Sequence, residues 1–230
     1  MTKQIEWSAS LLAANPLTLY DQLLTLKNTS IQCLHIDIMD LDYVPNLGLN
    51  LLTLNAITQT FPEFTIDIHY MVKNIDQALT HSKLATLPIR RVFFHPEASD
   101  NPANTIHHLN HLGIQSGIAI KPDSEISTYN HLWPLLNSCL IMGVEPGFSG
   151  QTFNPKTLSC LEAMHDIATK HSLQIAVDGG VNPHTLERLK KHSIDHAVLG
   201  SALFNHTSIK ENLHQCEKAM RQVATLDPQS

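Results

Sequence analysis

Short apolar segments recur along the chain and alternate with longer amphipathic segments. The apolar segments have strand length and are apolar nearly throughout: Ser8–Leu12, Cys33–Met39, Thr65–Met71, Arg91–His95, Gln115–Lys121, Cys139–Val144, Leu173–Val177 and Ala197–Leu199. Such continuous apolarity is typical of parallel strands that are buried on both faces. The segments between them show helical spacing, as in 155–170, where Leu158, Leu161, Met164 and Ile167 share one face.

Asn-Pro dipeptides mark several of the predicted helix starts. They occur at Asn15–Pro16, Asn101–Pro102, Asn154–Pro155 and Asn182–Pro183. The Asn side chain can accept a hydrogen bond from a free backbone N–H of the first turn, and proline suits the first helical position. Ser208 and Glu211 have the spacing of a capping box and predict one further helix after them.

The order of the elements predicts the fold. Eight strands that alternate with about eight helices indicate an α/β protein with a parallel sheet and right-handed crossovers. We expect a single (β/α)8 TIM barrel, and a doubly wound open sheet is the alternative. No linker or break in composition interrupts the pattern, so one catalytic domain is predicted over residues 1–225, followed by a flexible tail at 226–230.

Composition narrows the possible functions. The chain has 230 residues, of which 43% are hydrophobic and 16% are charged, and its formal net charge is −6. A negative chain without a basic cluster is unsuited to nucleic acid or to a membrane surface. No segment approaches the ~20 apolar residues of a membrane span, and the first residues lack the apolar core of a signal peptide. With four cysteines and no CxxC pair, the chain suits a reducing compartment, and we expect a cytoplasmic protein.

Polar side chains interrupt the apolar segments close to their carboxyl ends. His35 and Asp37 share one face of the second segment, His69 lies near the end of the third, and Asp178 follows the seventh. The fourth segment also ends in a histidine, His95. Catalytic groups of a barrel come from these strand ends, and buried charges there need a partner or a metal.

We therefore expect one divalent metal ion, either Zn, Fe, Mn or Co, at this rim. Two imidazoles and two carboxylates are a suitable donor set for such borderline ions. Any one of these four residues taken alone could be a hydrogen-bonded core residue. Their occurrence at corresponding ends of three strands favours a common site.

Glycine-rich turns follow the last three predicted strands. They contain Gly147 and Gly150 after the sixth strand, Gly179 and Gly180 after the seventh, and Gly200 with Ser201 after the eighth. Glycines allow backbone N–H groups to approach an anion closely, and loops after the seventh and eighth strands often bind phosphate in barrels. The three turns together predict a phosphate-binding region.

With these residues assembled, the chain resembles the ribulose-phosphate 3-epimerase family over about residues 7–204. The matching segments are His35–Asp40, Tyr43–Asn46, His69–Val72, Phe94–Ser99, Val144–Phe148, Gly150–Gln151, Val177–Gly180 and Gly200–Phe204. The resemblance implies a TIM barrel of the ribulose-phosphate-binding type. It also implies metal-assisted epimerisation at C3 of D-ribulose 5-phosphate to D-xylulose 5-phosphate, through an enediolate and two carboxylates, in the pentose phosphate pathway. It also implies a homo-oligomer.

The same resemblance assigns roles to individual residues. It makes Asp37 and Asp178 the acid/base pair, and makes both of them metal ligands together with His35 and His69. The residues it places around the substrate and its phosphate are Ser10, His69, Gly147, Phe148, Ser149, Gly150, Gly179, Gly180, Gly200 and Ser201. Met39, Met71 and Met142 match an apolar collar around the reacting carbons.

Three alternative functions would use a similar barrel, and the sequence argues against two of them. An epimerase of a hexulose 6-phosphate, such as allulose 6-phosphate, would use the same residues. A related decarboxylase would have a lysine between two aspartates at the end of the second strand, whereas this chain has Ile38 and Met39 between Asp37 and Asp40. A non-catalytic sugar-phosphate-binding barrel would lose a carboxylate or a ligand, and this chain retains both Asp37 and Asp178.

Several positions depart from the pattern of the family. Asn15 stands where the family usually has Asp, Ala13 where Ser is common, Tyr70 in place of Leu, Gly143 in place of Ser or Thr, and Ser149 in place of Gly; Leu41 and Asp42 also differ. None of these changes removes a proposed ligand or acid/base group. Leu41, Asp42 and Ser149 are expected to affect loop closure and substrate affinity.

Overall fold

The structure is a computed structural model that describes residues 5–82, 84–205 and 208–221. Its strands are β1 (Glu6–Ser10), β2 (Cys33–Met39), β3 (Thr65–Met71), β4 (Ile89–Phe94), β5 (Gln115–Ile120), β6 (Ser138–Met142), β7 (Gln174–Asp178) and β8 (His196–Leu199). Its α-helices are α1 (Leu19–Leu26), α2 (Leu51–Thr60), α3 (Ile75–Ser82), α4 (Pro102–His111), α5 (Lys156–His171), α6 (Pro183–Leu189), α7 (Ser201–Phe204) and α8 (Ile209–Arg221).

The strands form a closed parallel barrel in the order β1 to β8, with β8 paired to β1. This confirms the predicted TIM barrel and excludes the open sheet. On β2, Leu34 and Ile36 are fully buried in the large apolar cluster that also contains Leu54 and Ile57 of α2. Because side chains alternate along a strand, the residues between them face the barrel interior.

Element bounds agree best where the apolar segments are longest. β2 and β3 begin and end at the predicted residues. β1 begins and ends two residues earlier than predicted, and it ends at Ser10 because Leu11–Ala13 form a 3-10 turn. The crossover from β5 to β6 is the place where the structure departs from the predicted alternation of strands and α-helices. In the described chain, this crossover has only the 3-10 segments Ile126–Tyr129 and Trp133–Leu135. Pro134 lies where one longer helix through both segments would need a free N–H group.

The Asn-Pro dipeptides act as predicted at α4 and α6, which begin at their proline. The side chain of Asn101 accepts a hydrogen bond from the N–H of Asn104, and that of Asn182 accepts one from Thr185 within a capping box. The dipeptide at 15–16 opens only a 3-10 turn, Pro16–Thr18. The dipeptide at 154–155 lies just before α5, with the Asn154 side chain accepting from the N–H of Lys156. α8 begins directly after Ser208, and the capping box there stays a prediction.

The four cysteines are free and buried, as expected for small apolar residues in the core. Among the described residues, no helix has the length and apolarity needed to cross a membrane. The predicted tail at 226–230 lies outside the described residues, so the domain limits stay predictions.

Candidate metal and acid–base site

Four of the predicted site residues converge at the C-terminal rim of the barrel. β2 contributes His35 and Asp37, β3 contributes His69, and β7 contributes Asp178. Each residue offers one ligand atom, and these atoms all lie within 4.8 Å of one another. The two histidines are fully buried, and the side chains of Asp37 and Asp178 are only 3% and 15% exposed. The barrel therefore brings together the complete donor set that the sequence predicted.

The distances between these donors fit a shared cation. Asp37 Oδ1 lies 3.6 Å from His35 Nε2 and 3.3 Å from His69 Nδ1. Asp178 Oδ2 lies 3.6 Å from His35 Nε2 and 3.9 Å from His69 Nδ1. Ligands at ~2.1 Å from a tetrahedral ion are ~3.4 Å apart, because that is the edge of such a tetrahedron. The donors are thus spaced for a common metal rather than for direct hydrogen bonds.

The imidazole nitrogens that face this centre have no other partner. Among the described residues, His35 Nε2 and His69 Nδ1 are buried without a hydrogen bond. A buried polar atom without a partner is destabilising, and a metal ion would satisfy both nitrogens together. The Ser10 hydroxyl donates to Asp37 Oδ2 at 3.0 Å. Ser10 therefore orients Asp37 through the oxygen that does not face the histidines.

The proton affinities of the two carboxyl groups are driven apart. Burial by itself raises the pKa of Asp37, but His35 and His69 together hold that pKa below its usual range. Burial raises the pKa of Asp178, a shift that His35 opposes and Asp37 reinforces. Burial lowers the pKa of His35, yet Asp37 and Asp178 outweigh it and raise this pKa to about 9. Divergent environments for two acids are the usual basis for separate acid and base roles.

His95, just after β4, contacts the site although it was not among the predicted site residues. Its Nε2 lies 3.0 Å from Nε2 of His69, and both rings are fully buried. Burial lowers the pKa of His95 well below its ordinary value, and His69 and Lys121 lower it further. The sequence signal was its position at a strand end, which gave no indication that it would reach His69.

The loop between β6 and α5 lines the pocket above the donors. Gly147, Phe148, Ser149 and Gly150 all border this pocket together with Ser10. Gly147 and Gly150 have φ angles of 119° and 79°, a region that favours glycine. Phe148 is 50% exposed at the rim. The predicted substrate loop therefore lies next to the carboxylates.

The turns after β7 and β8 border the same pocket. Gly179 and Gly180 have φ angles of 95° and 65°, and Gly200 precedes the short helix α7, which begins at Ser201. The Ser149 hydroxyl lies 3.5 Å from the position that a Cβ at Gly200 would occupy. The loops after β6, β7 and β8 thus meet at one edge of the pocket, as the glycine pattern predicted.

Two polar side chains that were not among the predicted site residues hold the β6–α5 loop in place. The Gln151 side chain donates to the carbonyls of Glu145 and Phe148, at 2.7 and 2.9 Å. The Asn46 side chain donates to the carbonyl of Gly147 at 2.8 Å. Both residues lie in segments that matched the family resemblance. Their role in fixing the loop depends on side-chain contacts that the sequence pattern does not contain.

The three methionines of the predicted collar divide between two apolar clusters. Met39 and Met71 pack with Val44, whereas Met142 packs with Phe93 and Leu140 in the barrel interior. Met71 and Met142 both line the pocket. They provide apolar walls beside the polar donors.

Gly143 departs from the family pattern for a steric reason. A Cβ at this position would lie 2.0 Å from the carbonyl oxygen of Gly179 and 2.9 Å from the ring of Phe153. The backbone N–H of Gly143 donates to the carbonyl of Asp178 at 2.5 Å. The close approach of the β6 and β7 turns in this chain therefore requires glycine.

A second group of possible ligands, Glu6, Cys33 and His196, lies elsewhere in the barrel. The guanidinium of Arg90 contacts two of these residues, Glu6 and Cys33, in place of a metal ion. Its Nη1 donates to Glu6 at 2.6 Å and its Nη2 lies 3.2 Å from the sulfur of Cys33, and it also forms a bidentate pair with Asp67. The positive charge is thus supplied by the protein itself.

Fold and site together define a (β/α)8-barrel protein with a candidate metal and acid–base centre at its C-terminal rim. The sequence profile of the ribulose-phosphate 3 epimerase family matches residues 6–204. The chain belongs to this family. It is 34% identical to ribulose-phosphate 3-epimerase of Mycobacterium leprae over 85% of this chain and 86% of that protein. It is 30% identical to ribulose-phosphate 3-epimerase of Escherichia coli K12 over 83% and 84% of the two chains.

Solved structures of low sequence similarity share the fold. The 3-hexulose-6-phosphate synthase from Salmonella typhimurium superposes with a TM-score of 0.67 at 13% identity, covering 94% of this chain and 98% of that one. This likeness supports the barrel and leaves the reaction to be argued from the site.

Proposed function

We propose that this protein is an enzyme that interconverts D-ribulose 5-phosphate and D-xylulose 5-phosphate by inverting C3. The observation that carries the proposal is the convergence of Asp37 and Asp178 on the same two imidazoles at the barrel rim. Membership in the epimerase family and the names of the curated relatives agree with this activity.

The reaction needs one group that removes the C3 proton and another that returns a proton to the opposite face. An ionised carboxylate and a protonated carboxyl group suffice, and they exchange roles with the direction of the reaction. The pKa of Asp37 is lowered and that of Asp178 is raised, so the two carboxyl groups differ in proton affinity, as separate acid and base roles require. Asp37 is held by Ser10, so its orientation towards the pocket is fixed before the substrate binds.

His35, Asp37, His69 and Asp178 would hold one divalent metal ion. Bound there, the ion would act as a Lewis acid that stabilises negative charge developing on the substrate oxygens. Borderline ions such as Zn, Fe, Mn or Co suit this donor set. The two histidines fix the centre from β2 and β3, so that the two carboxyl groups are kept at the pocket floor.

The phosphate is proposed to bind where the loops after β6, β7 and β8 meet. Backbone N–H groups around Gly179, Gly180 and Gly200 and the hydroxyls of Ser149 and Ser201 offer donors there. Binding at this distant group contributes energy that orients C3 between the acids. Met71 and Met142 restrict water near the reacting carbons.

Proton exchange tests the proposed reaction directly. Protein supplied with a divalent metal should incorporate solvent deuterium at C3 of D-ribulose 5-phosphate and form xylulose 5-phosphate, both followed by NMR. The six-carbon analogue allulose 6-phosphate serves as the comparison substrate. Faster turnover of the hexulose phosphate would show that the six-carbon sugar phosphate is the preferred substrate. Absence of deuterium exchange with both substrates would contradict epimerisation.

Metal content is tested independently by elemental analysis of protein purified without added metal. One equivalent of Zn, Fe, Mn or Co, lost on chelation together with activity, is the expected result.

We also propose a homo-oligomer that acts in the cytoplasm in the pentose phosphate pathway. Light scattering on the purified protein tests the oligomeric state.

A further inference from the structure

We propose that His95 is a positioning residue, which accepts a hydrogen bond from His69 Nε2 and so holds the ring of His69 in the orientation in which Nδ1 can bind the metal. This inference rests on the proposed metal centre but concerns a residue outside its four donors. His95 lies immediately after β4, on the far side of the His69 ring from the carboxylates.

The two nitrogens of His69 face different partners. Nδ1 faces Asp37 Oδ1 at 3.3 Å and Asp178 Oδ2 at 3.9 Å, whereas Nε2 lies 3.0 Å from Nε2 of His95. Neither ring has any exposed surface. The only contact that fixes the outer nitrogen of His69 in the described structure is therefore the one with His95.

Metal binding determines where the protons must lie. A nitrogen that binds a metal carries no proton, so the single proton of neutral His69 must be on Nε2. This N–H then donates to His95 Nε2, and His95 carries its own proton on Nδ1. The opposite arrangement would place a proton on His69 Nδ1, where it would block the metal. His95 Nδ1 has no hydrogen-bond partner among the described residues, so His95 can keep its proton there and leave Nε2 to accept the bond that orients the ring of His69.

His95 is itself held by a cluster formed from three loops. The ring of Tyr43 lies 5.1 Å from that of His95, and the Tyr43 hydroxyl donates to Glu97 at 2.9 Å. Lys121 pairs with the same Glu97 oxygen at 2.6 Å and lies 4.8 Å above the Tyr43 ring. The carbonyl of His95 accepts a hydrogen bond from the N–H of Ala98. Backbone and ring are therefore both restrained, which a positioning residue requires.

Side chains that orient a metal ligand commonly change metal affinity by about 10–100-fold when they are removed. We expect metal affinity to fall by a factor of that size when His95, the hydrogen-bond acceptor for His69 Nε2, is removed. The rest of the donor set is unchanged by such a substitution. Its effect should therefore appear in the metal complex itself and not only in folding.

The test uses metal-free protein titrated with Co(II), whose visible absorption reports the geometry of its ligands. Three substitutions are compared. His95→Phe keeps a ring but removes both nitrogens, His95→Gln places an amide near the position of Nε2, and His95→Asn places one near Nδ1. We expect about 10–100-fold weaker binding and an altered spectrum for His95→Phe. Recovery of most of the affinity is expected with Gln but not with Asn.

The matched control is His196→Gln, which changes another buried histidine of the barrel. His196 is 1% exposed and pairs with Ser8 and Asp67. This control should alter stability without altering Co(II) affinity. Thermal unfolding of the metal-free variants separates a general loss of stability from a specific loss of metal affinity.

The outcomes separate this inference from the proposed function. Wild-type protein that binds Co(II) and turns over substrate, while His95→Phe binds Co(II) equally well with the same spectrum, overturns the role of His95 alone. Equal losses in His95→Gln, His95→Asn and His196→Gln would also overturn it. Wild-type protein that binds no Co(II) and shows no exchange overturns the proposed metal centre together with it.

Discussion

Asp37 on β2 and Asp178 on β7 both lie 3.6 Å from the same nitrogen, His35 Nε2. Their strands are separated in the barrel by β1 and β8, so the two acids reach this nitrogen from different directions. One imidazole thus links two carboxyl groups whose pKa values shift in opposite directions. This relationship underlies the first prediction.

Replacing either acid by its amide should remove most of the activity while the fold is retained. We expect Asp37→Asn and Asp178→Asn each to slow deuterium incorporation at C3 by roughly 10²–10⁴-fold, the contribution typical of a general acid or base. NMR of D-ribulose 5-phosphate in D₂O measures this rate. Asp123→Asn is the control, because Asp123 pairs with Lys156 at the surface. Near-normal exchange in both site variants would exclude the two-carboxylate scheme.

The four donors could be predicted from the sequence because two simple rules locate them. Alternation places His35 and Asp37 on one face of β2, and the barrel brings the ends of β2, β3 and β7 to one rim. The contact of His95 with His69 could not be predicted in this way. It depends on ring orientations and on the packing of Tyr43, which are properties of the assembled loops and not of one strand.

A buried charge on β4 is a second feature that the pattern along one strand does not predict. Arg91 is 1% exposed and lies 5.4 Å from the ring of Phe93, although an arginine at the start of an apolar segment suggests a strand end in solvent. The strand begins earlier, at Ile89, so Arg91 lies inside β4 and is buried beside Asp67, with Arg91 Nε 3.8 Å from Asp67 Oδ2. The pattern along one strand does not show which residue of a neighbouring strand will compensate the charge of a buried arginine.

Ser149 is expected to contribute to phosphate binding although it departs from the family pattern. Its φ angle is not positive, so a side chain is accommodated without backbone strain, and its hydroxyl faces Gly200 across the pocket edge. Ser149→Gly should raise KM for the sugar phosphate by up to about tenfold, since one hydrogen bond to a charged group is lost. Its kcat should change less. Steady-state kinetics with Ser172→Gly as the control measures both values, and an unchanged KM would refute a role for this hydroxyl.

Gly143 should not tolerate a side chain in this protein. A Cβ would meet the Gly179 carbonyl at 2.0 Å, and separating the two turns would disturb the backbone next to Asp178. We expect Gly143→Ala to lower the free energy of unfolding by about 1–3 kcal/mol, as overpacking commonly does. Urea unfolding provides the measurement. Gly113→Ala is a useful comparison, because Gly113 has a φ of 74° but no atom within 4 Å of its Cβ position, so any cost there is conformational only.

His196 should make the fold sensitive to mild acid. Burial lowers the pKa of His196 to about 3, and although Asp67 opposes this shift, Arg91 reinforces it. In the unfolded chain a histidine titrates near 6.5. Between these two values the unfolded state binds a proton that the folded state does not. The contribution of His196 to stability is therefore greatest above about pH 6.5 and is lost progressively as the pH falls.

Comparison with His196→Gln isolates this effect from other titrating groups. The free energy of unfolding of the wild-type protein should fall by about 2 kcal/mol more than that of His196→Gln between pH 7 and pH 5, because one proton is linked to unfolding over this range. Urea unfolding at several pH values measures the difference. His131→Gln, a substitution of the same type at an exposed histidine, is measured as the control. Parallel curves for the wild-type protein and His196→Gln would contradict this prediction, because they would show that His196 beside Asp67 is already protonated in the folded state.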